Sequence, residues 1–239
     1  MLNEKLICLL LLSSLFSFIF GYGKLVIPIP KQDGIDLKIP SMDLKIGESG
    51  IITRVNKDNE FIIANVIVDK IENGVATLSH SKFNAISQRY MPHPLGVPTE
   101  GDKVVFRILY NRALIIAPNQ NLYKMVVDNN SSMDFIHADI FASFLSKNRA
   151  NMPMKDDFIK FCSKFSVGLI FMWYGDNLFT LDCNSLVILD RYTLVNSSMD
   201  STGKLPFFTR LSDTALNELF NMKNMKNYDV HYSQFVSAK

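Results

Sequence analysis

The 239-residue chain is 48% hydrophobic and carries 25 Lys and Arg against 23 Asp and Glu, a formal net charge of +2. So small an excess gives no electrostatic case for nucleic acid or an anionic membrane surface as a partner. The apolar share is enough for a substantial core.

The first residues have the pattern of a targeting segment. Lys5 and the free α-amino group give a weakly positive start, and residues 6–20 are apolar apart from Ser13, Ser14 and Ser17. That run falls short of the roughly 20 residues a membrane span needs and matches the core of a secretory signal. Residues 1–23 are therefore predicted to be a signal peptide, with the protein exported to the periplasm or the bacterial cell surface at the outer membrane. Membrane contact is expected only through the signal segment during export. Small residues one and three places before the bond favour a cut between Gly23 and Lys24, with a cut after Gly21 as the second choice. No cysteine stands at the boundary, so a lipid anchor is not indicated. Cys8 leaves with the signal. The remaining pair, Cys162 and Cys183, can form one disulfide in an oxidising compartment or serve as buried apolar residues.

Residues 24–46 alternate apolar and polar groups around Pro28, Pro30 and Pro40, which predicts an extended N-terminal arm. Strand patterns follow at 51–55, 61–71 and 75–79. Asn73-Gly74 joins the last two, a hairpin signal because both central positions of a type I′ turn need a left-handed backbone. A helical turn at 83–89 is stopped by Met91-Pro92-His93-Pro94, and further strands are expected at 103–109 and 113–117. Residues 47–120 thus suggest a small β-barrel-like domain or sandwich. After residue 131 the period changes. Ile136, Ile140 and Phe144 recur at helical spacing, and a second helix at 155–165 is expected to bury Phe158, Ile159, Cys162 and Phe165. Strands are predicted at 167–173, 178–182 and 186–195, then an exposed loop at 196–204. Ser212 or Asp213 can cap a third helix carrying Leu216, Leu219 and Phe220, and residues 228–236 alternate like a last strand. The predicted class is α+β: the small N-terminal β-barrel-like domain, followed by a mixed α/β domain over 121–239.

Catalytic constellations are missing from the pattern. His80, His93, His137 and His231 show no spacing that pairs two ligands on one helix face, and no G-x-S-x-G occurs. Asp182 and Asp190, with Lys160, Lys164 and Arg191 in sequence reach, could hold a divalent ion, but aspartate is a common turn residue and turn capping is the simpler reading. Gly47-Glu48-Ser49-Gly50 precedes a strand and not a helix, so it makes a poor phosphate cradle. No enzymatic activity, metal or cofactor is expected. Phe171-Met172-Trp173-Tyr174 is the most aromatic run. Alternation on a sheet would expose part of it, making Phe171, Trp173 and Tyr174 a candidate partner surface.

Four segments, in order, carry a resemblance. They are Ile46-Gly47-Glu48-Ser49-Gly50, the hairpin Ile71-Glu72-Asn73-Gly74-Val75-Ala76, the stretch Val97-Pro98-Thr99-Glu100-Gly101-Asp102-Lys103-Val104-Val105-Phe106, and the run from Tyr110-Asn111-Arg112 to Ala117-Pro118-Asn119-Gln120. Together they resemble the N-terminal domain of bacterial plasminogen-binding surface proteins. The resemblance implies an envelope protein that captures host plasminogen through a C-terminal lysine, here Lys239 in Val236-Ser237-Ala238-Lys239. Larger members carry a long charged Lys/Glu-rich region after this domain. The present sequence lacks one, which would keep Lys239 near the folded body. A terminal lysine offers an ammonium and a carboxylate at opposite ends of an apolar stem, a dipolar ligand suited to an aromatic trough with acidic and basic ends, as in kringle modules. The rival expectation is a periplasmic structural or assembly factor that binds other envelope proteins.

Overall fold

A computed structural model of the chain describes residues 22–57, 59–83, 97–147, 152–194, 204–212 and 227–237. The first sheet grows outward from hairpins. β3 (Ser49–Asn56) pairs with β4 (Asn59–Glu72), and β4 returns as β5 (Val75–Lys82) through Asn73 and Gly74, whose φ values of 50° and 77° are those the tight turn demands. β6 (Lys103–Phe106) lies on the other side of β3.

The predicted arm is part of this sheet. β1 (Leu25–Pro28) pairs with β6, and β2 (Leu37–Pro40) pairs with β5, both antiparallel. Pro28 and Pro40 end the two edge strands, where a missing N–H is tolerated. Within 24–46 only these two four-residue pieces are strands, separated by bends and turns, and their partners lie far along the chain. The order β1-β6-β3-β4-β5-β2 leaves β1 and β2 as the two edges, so the expected β-barrel-like unit is a half-barrel and does not close. Ile27, Ile39, Ile52, Val66, Val68, Leu78, Val104 and Phe106 fill its concave side.

The strand predicted to finish that unit belongs to a second sheet. Arg107, at φ 63°, turns the chain away after β6, and β7 (Arg112–Ile116) becomes an inner strand of the order β11-β10-β9-β7-β8. β7 runs parallel to both β8 (Asp134–Ile136) and β9 (Leu169–Tyr174). Parallel neighbours need crossovers. α1 (Gln120–Asn129) supplies the one from β7 to β8, and α2 (Ala138–Lys147) with α3 (Lys155–Phe165) supplies the one from β8 to β9. β10 (Asn177–Asp182) and β11 (Ile188–Thr193) extend the sheet antiparallel.

α3 has the predicted span, although Ile159 is exposed and Phe158, Phe161 and Cys162 face inward. α1 was not anticipated; Asn119 caps it by accepting from Leu122 N at 3.0 Å. The strand expected at 228–236 is a helix, α4 (Tyr228–Val236). Tyr228, Tyr232 and Val236 recur at i, i+4, a spacing that also satisfies alternation, and Asn227 caps the first turn. The expected helical turn at 83–89 from residue 84 on, the third helix beyond Ser212 and loop residues 196–203 lie outside the described residues.

The three later helices meet over an aromatic core. Phe141 of α2 stacks on Phe207 at 5.4 Å and meets Phe158 and Phe161 of α3 at 4.9 and 4.8 Å, while Phe158 meets Phe235 of α4 at 5.2 Å. Each such ring removed from water contributes about 1.5–3 kcal/mol. Cys162 of α3 is disulfide-bonded to Cys183, just past β10, with Cα atoms 5.9 Å apart.

Candidate functional site

The segment 46–50 is the joint between the two sheets. Gly47 adopts φ 88°, and any Cβ there would collide with Val187, next to β11. Ser49 donates from its backbone N (3.0 Å) and its Oγ (2.7 Å) to Asp182 Oδ2, and the Tyr110 hydroxyl donates to the same oxygen at 2.6 Å. The other carboxylate oxygen accepts from Asn184 N and Ser185 N, each at 2.8 Å. Ser185 Oγ donates to Gly47 O at 2.7 Å. Burial and the Asp182 charge push the Tyr110 phenol far above its ordinary range, so it stays a proton donor.

A second set of bonds lies beside the first. Arg107 presents Nε and Nη2 to the two oxygens of Glu48, both at 3.1 Å, and Nη1 to Asp43 Oδ2 at 2.8 Å. The Glu48 side chain is fully buried and that of Arg107 nearly so. Burial pushes the Glu48 carboxyl up, and the bidentate guanidinium only partly offsets it.

The stretch 97–106 is held by a more exposed fork. Arg54 Nε and Nη2 each reach an Asp102 oxygen at 2.8 Å, and Thr99 N donates to Oδ2 at 2.8 Å. Burial alone would raise the Asp102 carboxyl, but Arg54 and Thr99 outweigh it and the net direction is down. A depressed folded pKa means stability present above the unfolded carboxylate value of about 3.9 and lost as pH falls through the folded one. Arg54→Met is therefore expected to cost about 1–2 kcal/mol at pH 7, after allowing for solvent screening, and to flatten the acid limb of stability. Urea midpoints from pH 7 to pH 3 check this, and a parallel acid limb in the variant would contradict it.

The predicted partner surface does not exist as one. Phe171 and Trp173 are fully buried and Tyr174 is half-buried, because β9 is the central strand and both its faces are covered. Trp173 Nε1 donates to Leu122 O at 3.1 Å, and the Tyr228 hydroxyl donates to Trp173 O at 2.9 Å. A continuous apolar run marks a strand buried on both sides, and β9 is such a strand rather than an alternating one. Asp182 is wholly committed to the joint, and Asp190 lies on the surface with Lys45 Nζ 3.5 Å away. His137 sits 3.2 Å from Asp139, burial pulling its pKa down, and His231 Nε2 lies 2.8 Å from Pro153 O. His80 is exposed, and His93 and Lys239 lie outside the described residues. Among the described residues no three His, Cys, Asp or Glu side chains are grouped to hold a metal, and no helix is long and apolar enough to cross a membrane.

Sequence reasoning missed the joint, though its signal was present: Glu48 and Ser49 are polar residues in a glycine-flanked run, and Tyr110 opens another of the resemblance-bearing segments. What fold and geometry define is an α+β protein in which a fully buried carboxylate, Asp182, is spent on holding two sheets together. The chain belongs to the family described as "Plasminogen-binding protein pgbA N-terminal", which it matches over residues 26–236. Two relatives, both named Plasminogen-binding protein PgbA, come from Helicobacter pylori strains 26695 and J99; each is 34% identical over 206 residues. The alignments cover 85% of this chain and 45% of each relative, so the chain spans about half the length of the curated relatives it matches.

Proposed function

We propose that the protein is an exported envelope protein that captures host plasminogen, with Lys239 as a kringle contact. The observation that carries the reading is the alignment with relatives named for plasminogen binding along 85% of this chain. The Cys162–Cys183 disulfide is in keeping with an oxidising compartment. α4 supports the lysine contact mechanically. Tyr228, Tyr232, Phe235 and Val236 are buried, and the Tyr232 hydroxyl donates to Pro206 O at 2.9 Å, so the chain leaving the helix is tethered three residues before Lys239. At about 3.3–3.6 Å per residue, Lys239 can extend about 10 Å from Val236, enough for its side chain to enter a shallow trough.

About ten heavy atoms at roughly 0.3–0.6 kcal/mol each give about 3–6 kcal/mol, a millimolar to tens-of-micromolar contact. Tighter capture requires further lysines engaged together. Deleting Lys239 is expected to weaken capture by immobilised kringles at least about tenfold. Equal binding would remove the lysine contact, and no capture of plasminogen by the intact protein would remove the plasminogen reading. The alternative, a periplasmic structural or assembly factor, keeps sheet edges such as β11 as its docking element, since Phe171 and Trp173 are buried. Protease accessibility on intact cells separates the two: cleavage supports surface exposure, protection the periplasmic factor.

A further inference from the structure

Tyr22 lies ahead of the first strand yet is built into the joint. Its ring meets Tyr110 edge-on with centroids 5.4 Å apart. Lys45 Nζ and Arg107 Cζ lie over the same ring, 5.5 and 5.6 Å from its centroid. Lys45 also donates to the Tyr22 hydroxyl at 3.4 Å, to Leu189 O at 3.0 Å and to Asp190 Oδ2 at 3.5 Å, which ties the residue to the second sheet. The ring is half-buried, and burial pushes its phenol up. One cation on the ring belongs to the buried Arg107–Glu48 pair, so the aromatic helps shield that pair from water. Gly23, by contrast, is exposed with open space around it and contributes no packing.

The two candidate processing bonds differ in what they do to this contact. A cut between Gly23 and Lys24 discards Tyr22, whereas a cut between Gly21 and Tyr22 leaves it as the first residue. We propose that Tyr22 is retained: the leader is removed at the Gly21–Tyr22 bond, and the mature chain starts with the aromatic that closes the joint between the sheets. The inference rests on the export reading above. Hydrolysis breaks the amide C–N bond; the hydroxyl of water goes to the Gly21 carboxyl and its proton to the new Tyr22 amine, with a leader peptidase as catalyst. Gly21 supplies the small residue directly before the bond.

The test is intact mass and N-terminal sequencing of the protein released by a bacterium expressing the full chain. A start at Tyr22 is expected. A start at Lys24 would overturn the proposal and leave export standing, whereas a chain retaining Met1 and the whole apolar segment would overturn the export reading itself. A second measurement probes the contact. A purified chain beginning at Lys24 is expected to melt about 3–10 °C below one beginning at Tyr22, and equal melting temperatures would overturn the structural role of the ring.

Discussion

Asp182→Asn is expected to destabilise the protein by about 3–5 kcal/mol, although it changes one atom in a side chain with no exposed surface. The carboxylate accepts five hydrogen bonds, three at Oδ2 and two at Oδ1. An amide keeps only one of those oxygens. If the retained oxygen faces Asn184 N and Ser185 N, the new NH2 group is pressed against Ser49 N, Ser49 Oγ and the Tyr110 hydroxyl. The two hydroxyls can rotate to accept, but the Ser49 N–H cannot and is left buried without a partner. If the amide flips, two backbone N–H groups are stranded instead. Either way the loss of charge weakens every surviving bond. Urea unfolding measures the cost, with Asp190→Asn as a control; Asp190 is exposed, and its change is expected to stay within about 0.5 kcal/mol. A loss below about 1 kcal/mol for Asp182→Asn would mean that the joint does not depend on this carboxylate.

That residue also marks the limit of reading the sequence. Turn capping accounts for half of what Asp182 does: aspartate near a turn accepts from backbone N–H groups, and Asn184 N and Ser185 N are such groups. Its other partners, Ser49 and Tyr110, are 133 and 72 residues away, and no local pattern encodes those distances. The same division runs through the fold. Asn73-Gly74 announced the β4–β5 hairpin because the turn chemistry is local, and α3 announced itself by periodicity over 11 residues. β1 and β2 are only four residues long, and their partners are set by tertiary contacts, so they looked like an arm. In α4, nine residues with aromatics at several spacings fitted both periods, and only packing against Phe158 and Pro206 decides. The burial of Phe171 and Trp173 depends on what covers β9, which a strand pattern does not state. Two of the family segments, 46–50 and 110–120, each contribute a donor to the joint, Ser49 and Tyr110, while the carboxylate that accepts from both lies outside them.

The second large effect is expected from Arg107→Met, about 3–5 kcal/mol at pH 7, because it leaves Glu48 buried without its cation. The pH dependence identifies the cause. Burial already raises the Glu48 carboxyl, and removing the guanidinium raises it further. A folded pKa above the unfolded value of about 4.5 means that the native state holds the extra proton in the window between them, so stability falls as pH rises through it. The deficit of Arg107→Met relative to the parent should therefore shrink as pH drops from 7 towards about 4.5, a range in which the contribution of Asp102 is still in place in both proteins. Glu48→Gln is expected to cost less, about 1–3 kcal/mol, since Arg107 keeps Asp43 Oδ2 at 2.8 Å and Asp43 O at 3.0 Å. Combining the two changes should be milder than their sum by about 2 kcal/mol or more, because a glutamine in place of Glu48 leaves no charge to strand. Urea midpoints of the four proteins at pH 7 and pH 5 complete the cycle. A deficit for Arg107→Met that is the same at both pH values would show that the cost is lost packing of the long side chain against Tyr22, and that the ion pair contributes little.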